Sequence, residues 1–565
     1  MATLVHSLSF SQGSWVSDSL RRWWSSAEFN PLANSSTIVV EQLRTAATER
    51  SLTFMNEQRH RLVDVLRRQY KDSGLEMSES VFNLLASPRT MVVTTAHQPN
   101  WLGGPAYWLH KLLSTMALAD KLTEILPEFQ WIPLYWMGSE DHDLAELGHC
   151  VINGNRVEWE GERGSNAFGR LVIPSSIQLD FFATLENAPY FAEVHALLRE
   201  SYQQGYTVAQ ATRRLAHGLL GEGGWLKYGG KDQFHELNGS KGSWREGYFG
   251  SSLVVLDGDD ADLKGAFAPV MLDQFDSPGK VAAMVAQRRQ ELRSDFGIEV
   301  DLHIRDWPFF VLDGNERLKP EGRFSANDLH GLPAEKLSPG VALRPLFQEF
   351  TLPNVAFVGG GAEQLYWAAL KPLFSHYGIP FPLTMLRPSL GWLTPEISKQ
   401  WLAIGWVWDD LGKSADELES KFWSTIYQKN RSISPFWEEG DFSAWAETKV
   451  ETVIGSLRGL LLEVDSGMQG ALGASKHKMM QDLERLEQLY RKALRRKFKA
   501  EHELAQNIIH HFMPSGVPME RVEGMWSSLA YGGPAILKVY LECLSPMDVE
   551  DRSKAPWMRF IDLRV

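Results

Sequence analysis

The sequence contains very little cysteine, with only Cys150 and Cys543 among its 565 residues. Two cysteines so far apart exclude a disulfide framework and a cysteine-based zinc ribbon, and they fit a reducing cytoplasm. Basic residues are also in deficit, because 57 Lys and Arg against 70 Asp and Glu give a net charge of −13. An acidic chain without a long basic run is not expected to bind nucleic acid.

Long apolar segments are missing as well. No stretch of 18 apolar residues occurs, and the longest candidate, 401–408, is too short to span a bilayer. Residues 1–24 lack the unbroken apolar run of a signal peptide. We therefore expect a cytoplasmic protein that does not bind a membrane. The remaining composition, 44% hydrophobic and 22% charged, is typical of a globular chain.

What the sequence does contain is an alternation of strand and helix patterns. The apolar, β-branched segment 91–95 is followed by a polar loop, a helix that opens at Pro105, and a second strand at 131–137. This βαβ order predicts an α/β fold with a parallel sheet. Further strand-like segments occur at 253–257, 309–312 and 355–358, whereas residues 1–50 and 313–342 have weak or loop-like patterns.

The C-terminal third changes to a helical pattern. Apolar residues at steps of three and four run from Val450 through Val453, Leu457 and Leu460 to Val464. They resume from Met479 to Leu504 after a glycine-containing interruption at 465–473, which predicts an antiparallel coiled-coil hairpin. The predicted domains are a core at 1–400 with an insertion at about 150–250, a helical connector at 401–446, the hairpin at 447–513 with a second arm at about 476–512, and a segment at 514–565 that returns to the core.

The first candidate site is the loop after the strand at 91–95, where ligands bind in open α/β sheets. Its polar and glycine residues are Thr95, His97, Gln98, Asn100, Gly103 and Gly104, with Lys111 in the following helix. We expect the two glycines to let the backbone approach a ligand, and the helix start at Pro105 to attract a phosphate or carboxylate. The alternative is a tight turn with a buried polar loop.

The second candidate site is the run Gly-Ser-Glu-Asp-His-Asp at 138–143, which follows a buried strand. A carboxylate from Asp141 or Asp143 would orient His142 as a general base. Glu140 is a further binding candidate, and the carboxylates could instead hold Mg²⁺ through water. The alternative is that Ser139 or Asp141 caps the next helix. We assign no metal ligand and leave the Mg²⁺ requirement open.

Two more groups complete the candidates. Gly359-Gly360-Gly361 again follows a strand, and three glycines in a row suggest that a ligand or backbone presses against them. Glu363 is equally typical of a helix first turn, and Trp367 is more typical of a core than of a ligand platform. Arg344 and Arg387, each before a proline, are candidates for binding a carboxylate or phosphate, with Gln348 beside the first. Their alternative role is a surface or interface ion pair.

Together these motifs resemble the cysteine-adding enzymes of bacillithiol biosynthesis, from about residue 55 to the C-terminus. The matching segments are 95–98 with 103–107, 133–143, 343–348, 359–363 with 366–367 and 371–374, and 513–516 with 520–521. The resemblance implies a Rossmann-like core similar to class I nucleotidyltransferases, inserted segments, and a coiled-coil arm that forms a homodimer. It also implies a ligase that joins the carboxyl of cysteine to the amine of glucosaminyl-malate. Ala96 departs from the family's usual glycine, and no H-x-G-H or K-M-S-K-S pair is present.

The hypothesis that follows is activation of cysteine by ATP or another nucleotide. Gly103, Gly104 and the helix start would hold an anionic group, while His97 and Gln98 donate to developing charge. His142 would deprotonate the attacking ammonium, and Arg344 or Arg387 would bind the malyl carboxylates. The remaining expected binding residues are Thr95, Asn100, Tyr107, Lys111, Glu140, Gln348, Gly360, Gly361, Glu363 and Trp367. Two alternatives are a nucleotidyltransferase of similar fold and a non-enzymatic dimeric scaffold that binds a small anion.

Overall fold

The computed structural model describes residues 2–10, 13, 16–161, 166–174, 180–228, 252–429, 442–547 and 556–563. The chain forms two compact units, one of Met1–Pro395 with Val517–Val565 and the other of Glu396–Gly516. The described strands are β1 (Thr3–Ser9), β2 (Thr90–His97), β3 (Gln130–Met137), β4 (His149–Ile152), β5 (Asn155–Glu158), β6 (Val254–Asp257), β7 (Phe309–Asp313), β8 (Glu316–Leu318), β9 (Leu337–Pro339), β10 (Asn354–Gly359), β11 (Leu383–Leu386), β12 (Ser389–Leu393) and β13 (Pro556–Asp562).

Helices connect and cover these strands. Those of the first unit are α1 (Asp18–Ser25), α2 (Ser36–Thr53), α3 (Asn56–Asp72), α4 (Glu79–Ala86), α5 (Tyr107–Ile125), α6 (Leu144–Leu147), α7 (Phe191–Ser201), α8 (Val208–Leu220), α9 (Trp225–Tyr228), α10 (Ala261–Asp276), α11 (Lys280–Phe296), α12 (Ala326–His330), α13 (Leu343–Thr351), α14 (Gly361–Tyr377) and α20 (Trp526–Cys543). The helices that follow α14 in the chain are α15 (Pro395–Ile404), α16 (Ala415–Lys429), α17 (Phe442–Val464), α18 (Gln469–Lys497) and α19 (Lys499–Phe512). Among the described helices, none combines the length and the hydropathy of a membrane-spanning segment.

A five-stranded parallel sheet forms the centre of the first unit, in the order β11-β10-β2-β3-β6. The residues of β2 and β3 are almost all buried, as expected for strands covered by helices on both faces. Leu118, Leu122, Trp131 and Val355 belong to a core between this sheet and its helices. The Rossmann-like parallel-sheet fold predicted from the sequence is therefore confirmed.

Three smaller sheets surround the centre. Two antiparallel ones are the hairpin β4-β5 and the sheet β8-β7-β9, and the third joins β1, β13 and β12. Part of the expected insertion, at 162–165, 175–179 and 229–250, lies outside the described residues. The expected loop at 313–342 instead contains β8, α12 and β9.

The N-terminal region is also more ordered than its pattern predicted. Within residues 1–50 the chain forms β1, α1 and part of α2, with Val39, Leu43 and Ala47 buried along one row of α2. Since β1 pairs with β13 at the opposite end of the chain, no local pattern could reveal its partner.

The second unit contains the predicted helical hairpin, formed by α17 and α18. Val450, Ile454 and Leu472 are buried between the arms. Four of the predicted seam residues instead lie on the outside, with exposed fractions of 46% for Val453, 40% for Leu457, 66% for Leu460 and 84% for Val464. Two neighbouring apolar rows run along α17, and spacing alone did not show which row faces the other arm.

The hairpin turn is shorter than predicted. A short 3-10 turn at Ser466–Met468 joins the arms, and α18 already begins at Gln469. Gly470 and Gly473 are therefore helical rather than part of the expected interruption. The second arm also breaks at Phe498, where α18 ends and α19 begins, instead of continuing to residue 512 as one helix.

Candidate functional site

Three loops meet at the carboxyl edge of the parallel sheet, because β10, β2 and β3 are neighbours in it. The amide of Gly138 donates to the carbonyl of His97 at 2.9 Å, which joins the first loop to the second. Lys111 Nζ lies 2.6 Å from Glu363 Oε2 and donates to the carbonyl of Ala96 at 3.0 Å, which joins the first loop to the third. These remote segments therefore form one region.

Asp141 is the centre of the contacts in this region. Its carboxylate accepts hydrogen bonds from Arg344 at 2.9 Å and from Gln98 at 3.3 Å, and Arg317 lies 3.5 Å away. Burial alone would raise the pKa of Asp141, but Arg344 and Arg317 hold it well below its usual range. An ionised Asp141 thus anchors one cation from α13 and another from β8.

His142 follows Asp141 and is half-buried. Its Nδ1 lies 3.8 Å from Asp141 Oδ1, too far for a hydrogen bond, and has no such partner among the described residues. Burial and the nearby Arg317 lower the pKa of His142, so its imidazole is neutral at pH 7. A half-exposed neutral imidazole in a polar cleft can accept a proton.

The expected orientation of His142 by a carboxylate hydrogen bond differs from the structure. Asp143 is the N-cap of α6, where its carboxylate accepts from the amide of Glu146 at 3.2 Å. Asp141 accepts from the backbone amide of His142, not from its ring. The next helix is therefore capped by Asp143, and not by Ser139 or Asp141 as the alternative had it. A contact other than a carboxylate must orient the imidazole.

Glu140 belongs to a buried charge cluster behind the loop. Its carboxylate pairs with Lys264, which also lies 2.6 Å from Asp259. Arg170 donates to the same Asp259 carboxylate. Because Lys264 is fully buried and its charge is shared by two carboxylates, Glu140 fixes the loop at 138–143 rather than offering a free carboxylate.

His97 lies behind the edge of the sheet, beside Tyr107 at a ring-centroid distance of 5.2 Å. Burial, Lys111 and Arg387 lower the pKa of His97 well below its ordinary value, so the ring is neutral. Its Nε2 is buried and has no hydrogen-bond partner among the described residues. A neutral imidazole with an unused nitrogen is better suited to donate a hydrogen bond to a bound substrate than to act as a base.

The turn at Gly103 and Gly104 serves packing, in contrast to the expected anion cradle. The amide of Gly103 donates to Asn100 O and Tyr202 Oη, and that of Gly104 donates to Trp101 O. The amide of Ala106 is likewise bonded to Glu523 O. A Cβ on Gly104, whose φ is +60°, would lie 2.6 Å from Asn100 Cβ. The amides expected to bind a phosphate are therefore already in use.

Other predicted binding residues are buried within the protein. Thr95 and Asn100 are buried, and Gln348 is buried and donates to Glu349 at 2.8 Å. Trp367 is buried and stacks on Phe357 at a centroid distance of 4.3 Å, which is the core role and not a ligand platform.

The triple glycine packs against the protein itself. A Cβ on Gly361 would lie 2.4 Å from Leu20 Cδ2 of α1, so a side chain is what presses against this loop. The amide of Gly360 donates to Glu363 Oε2 at 2.7 Å, which caps α14. Glu363 thus has the helix first-turn role that was its alternative, and its carboxylate also pairs with Lys111.

Arg387 forms an ion pair, as in its alternative role, but the pair is buried inside the first unit and lies neither at the surface nor at an interface. Both of its terminal nitrogens donate to Glu520, at 2.8 and 3.0 Å, and the pair is buried. Glu520 also accepts from Ser389 and Leu390 N, and it lies 2.7 Å from His110 Nδ1. Arg387 remains near the site, with its guanidinium 5.7 Å from the Tyr107 ring centroid.

The antiparallel sheet β8-β7-β9 supplies residues that the sequence did not reveal. A cleft of about 620 Å³ lies between this sheet and the 138–143 loop. Its lining residues include Asp141, His142, Asp143, His303, Arg305, Phe310, Arg317, Lys319 and Arg344. The dipeptide Gly314-Asn315 between β7 and β8 is a hairpin signal that would have placed Arg317 in a strand. Among the described residues, no group of three His, Cys, Asp or Glu is arranged to hold a metal ion.

Both thiols are expected to be unreactive in the folded chain, because the thiolate is the reactive form. Burial raises the pKa of Cys150, and it raises the pKa of Cys543 to about 11. We expect native protein not to react with Ellman's reagent over minutes, while both cysteines react in guanidinium. Rapid reaction of native protein would contradict this burial. Cys150→Ser and Cys543→Ser variants would show which thiol is accessible.

The fold and this edge site define a Rossmann-like α/β protein with a C-terminal coiled-coil domain. The family model "Bacillithiol biosynthesis BshC, N-terminal Rossmann-like domain" matches residues 33–237 and 247–388, and the model of the C-terminal coiled-coil domain matches residues 408–551. The chain belongs to the BshC family of bacillithiol biosynthesis, which confirms the resemblance seen in its motifs.

Similar proteins of this family come from several bacterial groups. A protein of Flavobacterium psychrophilum is 30% identical over 481 residues, which are 80% of this chain and 81% of that protein. One from Cytophaga hutchinsonii is 30% identical over 519 residues, 88% of this chain and 89% of that protein. One from a Geobacillus species is 26% identical over 494 residues, 84% and 85% of the two chains. Each bears the name "Putative cysteine ligase BshC".

Proposed function

We propose that this chain is a ligase that joins the carboxyl group of cysteine to the amine of glucosaminyl-malate. The names of its relatives support a cysteine ligase. The observation that carries the proposal is the neutral His142 beside the Asp141–Arg344 pair, in a cleft that also contains Arg305 and Arg317. We place the reaction in the cytoplasm, where two free cysteines remain reduced.

In this proposal His142 removes a proton from the attacking ammonium. An amine attacks a carbonyl carbon only as the free base, so the proton must leave before or during attack. The lowered pKa of His142 keeps the imidazole ready to accept it. His97, which is also neutral, donates from its unused Nε2 to the oxygen on which negative charge develops.

Arg344 is proposed to bind a carboxylate of the malyl group. Its NH1 donates to Asp141, whereas its Nε and NH2 are buried without a hydrogen-bond partner among the described residues. An unpaired edge of a guanidinium matches a carboxylate in two parallel hydrogen bonds. Arg387, the other candidate, already uses both terminal nitrogens on Glu520, so we assign this role to Arg344.

Activation of the cysteine carboxyl by ATP or another nucleotide is also part of the proposal, because amide formation from a free carboxylate is uphill in water. The turn at Gly103 and Gly104 does not fit the phosphates, since its amides donate within the protein. We therefore assign no step of the reaction to a nucleotide there. The residues above act on cysteine once it is activated.

A homodimer through the coiled-coil hairpin is the proposed assembly. Apolar side chains remain exposed on both arms, with Val464 84% exposed on α17 and Leu486 59% exposed on α18. Exposed apolar rows on a long helical hairpin are typical of a surface that packs against a partner.

The test is an assay of purified full-length protein with cysteine and glucosaminyl-malate, each with and without ATP and Mg²⁺. Mass spectrometry of an amide product would support the ligase. Nucleotide transfer without an amide would indicate the nucleotidyltransferase alternative, and binding without turnover in any condition would indicate a scaffold. In the host, loss of the chain is expected to cause glucosaminyl-malate to accumulate.

A further inference from the structure

Phe310, on β7, is in contact with the candidate base although it is an apolar residue from a different sheet. The ring centroids of Phe310 and His142 are 5.6 Å apart in an edge-to-face arrangement. The guanidinium carbon of Arg317 lies 3.8 Å from the Phe310 centroid, and that of Arg305 lies 4.2 Å from it. One aromatic ring therefore contacts the imidazole and two cations of the cleft.

The contacts of His142 leave its ring orientation to this neighbour. Neither Asp141 nor Asp143 forms a hydrogen bond with the imidazole, and Nδ1 has no partner among the described residues. Edge-to-face packing on an aromatic ring is directional, because the positive ring edge meets the negative ring face. Among the described contacts, the one with the Phe310 ring fixes the orientation of the imidazole plane.

Arg317 is fixed in the same place by several contacts. Its Nε donates to Ser338 Oγ at 3.0 Å and its NH2 to Pro339 O at 3.0 Å, both on β9. Its NH1 lies 3.5 Å from Asp141. The face of Phe310 adds a cation–π contact to these. The sheet thus holds a positive charge close enough to His142 to lower its pKa.

The charges around His142 come from three elements. Asp141 and Asp143 flank it on its own loop, Arg317 faces it from β8, and Arg344 faces it from α13. After burial, Arg317 has the largest effect in lowering the pKa of the imidazole, and the two carboxylates oppose it. Any movement of Arg317 therefore changes the charge balance at the base.

We propose that Phe310 is a positioning residue for the reaction, which fixes the His142 imidazole and the Arg317 guanidinium relative to each other. The inference rests on the proposed function, in which His142 accepts the proton of the attacking amine. Phe310 touches neither substrate nor leaving group in this role. It acts through the orientation and the charge environment of His142.

The first test compares Phe310→Leu, Phe310→Tyr and Phe309→Leu in full-length protein. Loss of the ring in Phe310→Leu is expected to lower kcat about tenfold or more with little change in KM, because small misplacements of catalytic groups slow the chemical step. Phe310→Tyr keeps the ring and is expected to retain most of the activity. Phe309 packs on Phe275 at 4.8 Å instead, so Phe309→Leu measures the effect of weakening β7 alone.

The second test does not depend on ligase activity. Diethyl pyrocarbonate reacts with an imidazole only in its neutral form. Mass spectrometry of the peptide that contains His142 measures this modification, and its dependence on pH reports the pKa of His142. We expect faster modification in Phe310→Leu than in the parent, and a pKa that moves toward the ordinary value of histidine. The Phe309→Leu and Phe310→Tyr proteins are expected to match the parent.

The outcomes separate this inference from the proposed function. If Phe310→Leu matches the parent in both kcat and modification at His142, Phe310 does not position the base. If Phe310→Leu and Phe309→Leu lose activity equally and modification is unchanged in both, the effect is structural and the inference is wrong. If modification changes as expected while the parent forms no amide product, Phe310 does position His142 but the ligase assignment fails.

Discussion

Replacing His142 with asparagine is expected to lower kcat by about 100-fold or more, since a positioned general base contributes roughly 10²- to 10⁴-fold. Asparagine is polar and smaller than histidine, so it fits the half-buried position without placing an apolar group in the polar cleft. KM should change little, because the imidazole acts on the proton that leaves during attack. Steady-state kinetics of amide formation, with the product measured by mass spectrometry, check this expectation.

His303 provides the matched control for this substitution. It lines the same cleft but is exposed, and it is not among the groups that hold Asp141. His303→Asn is therefore expected to retain far more activity than His142→Asn. Full amide-forming activity in His142→Asn would remove the base assignment, and circular dichroism of both variants would show that the fold is unchanged.

The pH dependence of the reaction follows from the same imidazole. The base works only when it is neutral, and burial together with Arg317 lowers the pKa of His142 below its ordinary value of 6.5. A lower pKa means that the imidazole stays neutral down to a lower pH. We therefore expect the acid-side decline in kcat/KM of the parent, caused by a proton taken up by the free enzyme, to have its midpoint below pH 6.5. In Phe310→Leu the decline should begin at a higher pH.

The central sheet was predictable because its strands are buried on both faces. Continuous β-branched and apolar runs such as 91–95 are typical of such strands, and β2 and β10 occur where the sequence indicated them. In a parallel sheet the loops after neighbouring strands must lie at one edge. The proximity of His97, Asp141 and Glu363 therefore follows from the strand order, whereas the alternation of strands and helices predicted only that the strands are parallel.

The contacts within the site were less predictable, because they depend on pairings remote in the chain. Arg317 reaches Asp141 only through the hairpin β7-β8, in a region whose proline and glycine content resembled a loop. From the sequence, Gly103 and Gly104 could equally have faced a ligand or a neighbouring side chain. In the structure Gly104 packs against Asn100, and the amide of Gly103 donates to Tyr202 Oη. Local patterns locate polar loops but not the partners of their amides.

The C-terminal segment shows the same dependence on remote pairing. Glu520 enters the first unit more than 100 residues after Arg387, and its carboxylate accepts from five donors there. Ionised Glu520 can only accept, so His110 carries its hydrogen on Nδ1. Arg387 in turn lies beside Tyr107 and lowers the pKa of His97. The segment after the coiled coil thus supports the edge of the sheet where the candidate site lies.

Glu520→Gln is expected to produce the largest loss of stability, about 3–5 kcal/mol, because removal of one partner leaves the buried Arg387 charge uncompensated. Glutamine matches the size of glutamate, so the loss reports charge and hydrogen bonding rather than a cavity. Urea denaturation followed by tryptophan fluorescence measures it, since Trp392 and Trp526 are buried in the same unit. A glutamine variant as stable as the parent would mean that the ion pair does not hold this segment.

Glu523, three residues further on, is the matched control because it is also buried but has a different electrostatic setting. It accepts from the amides of Asn153 and Gly154, and burial raises its pKa to about 7.

Arg387 and His110 oppose the effect of burial on Glu520 and hold its pKa well below 4.5, so its stabilisation is present above pH 4.5 and is lost as the pH falls. Ionising Glu523 has the opposite effect and destabilises the fold as the pH rises from 4.5 through 7. At pH 8, Glu523→Gln should therefore change stability by only about 1 kcal/mol, and equal losses in the two variants would contradict this difference.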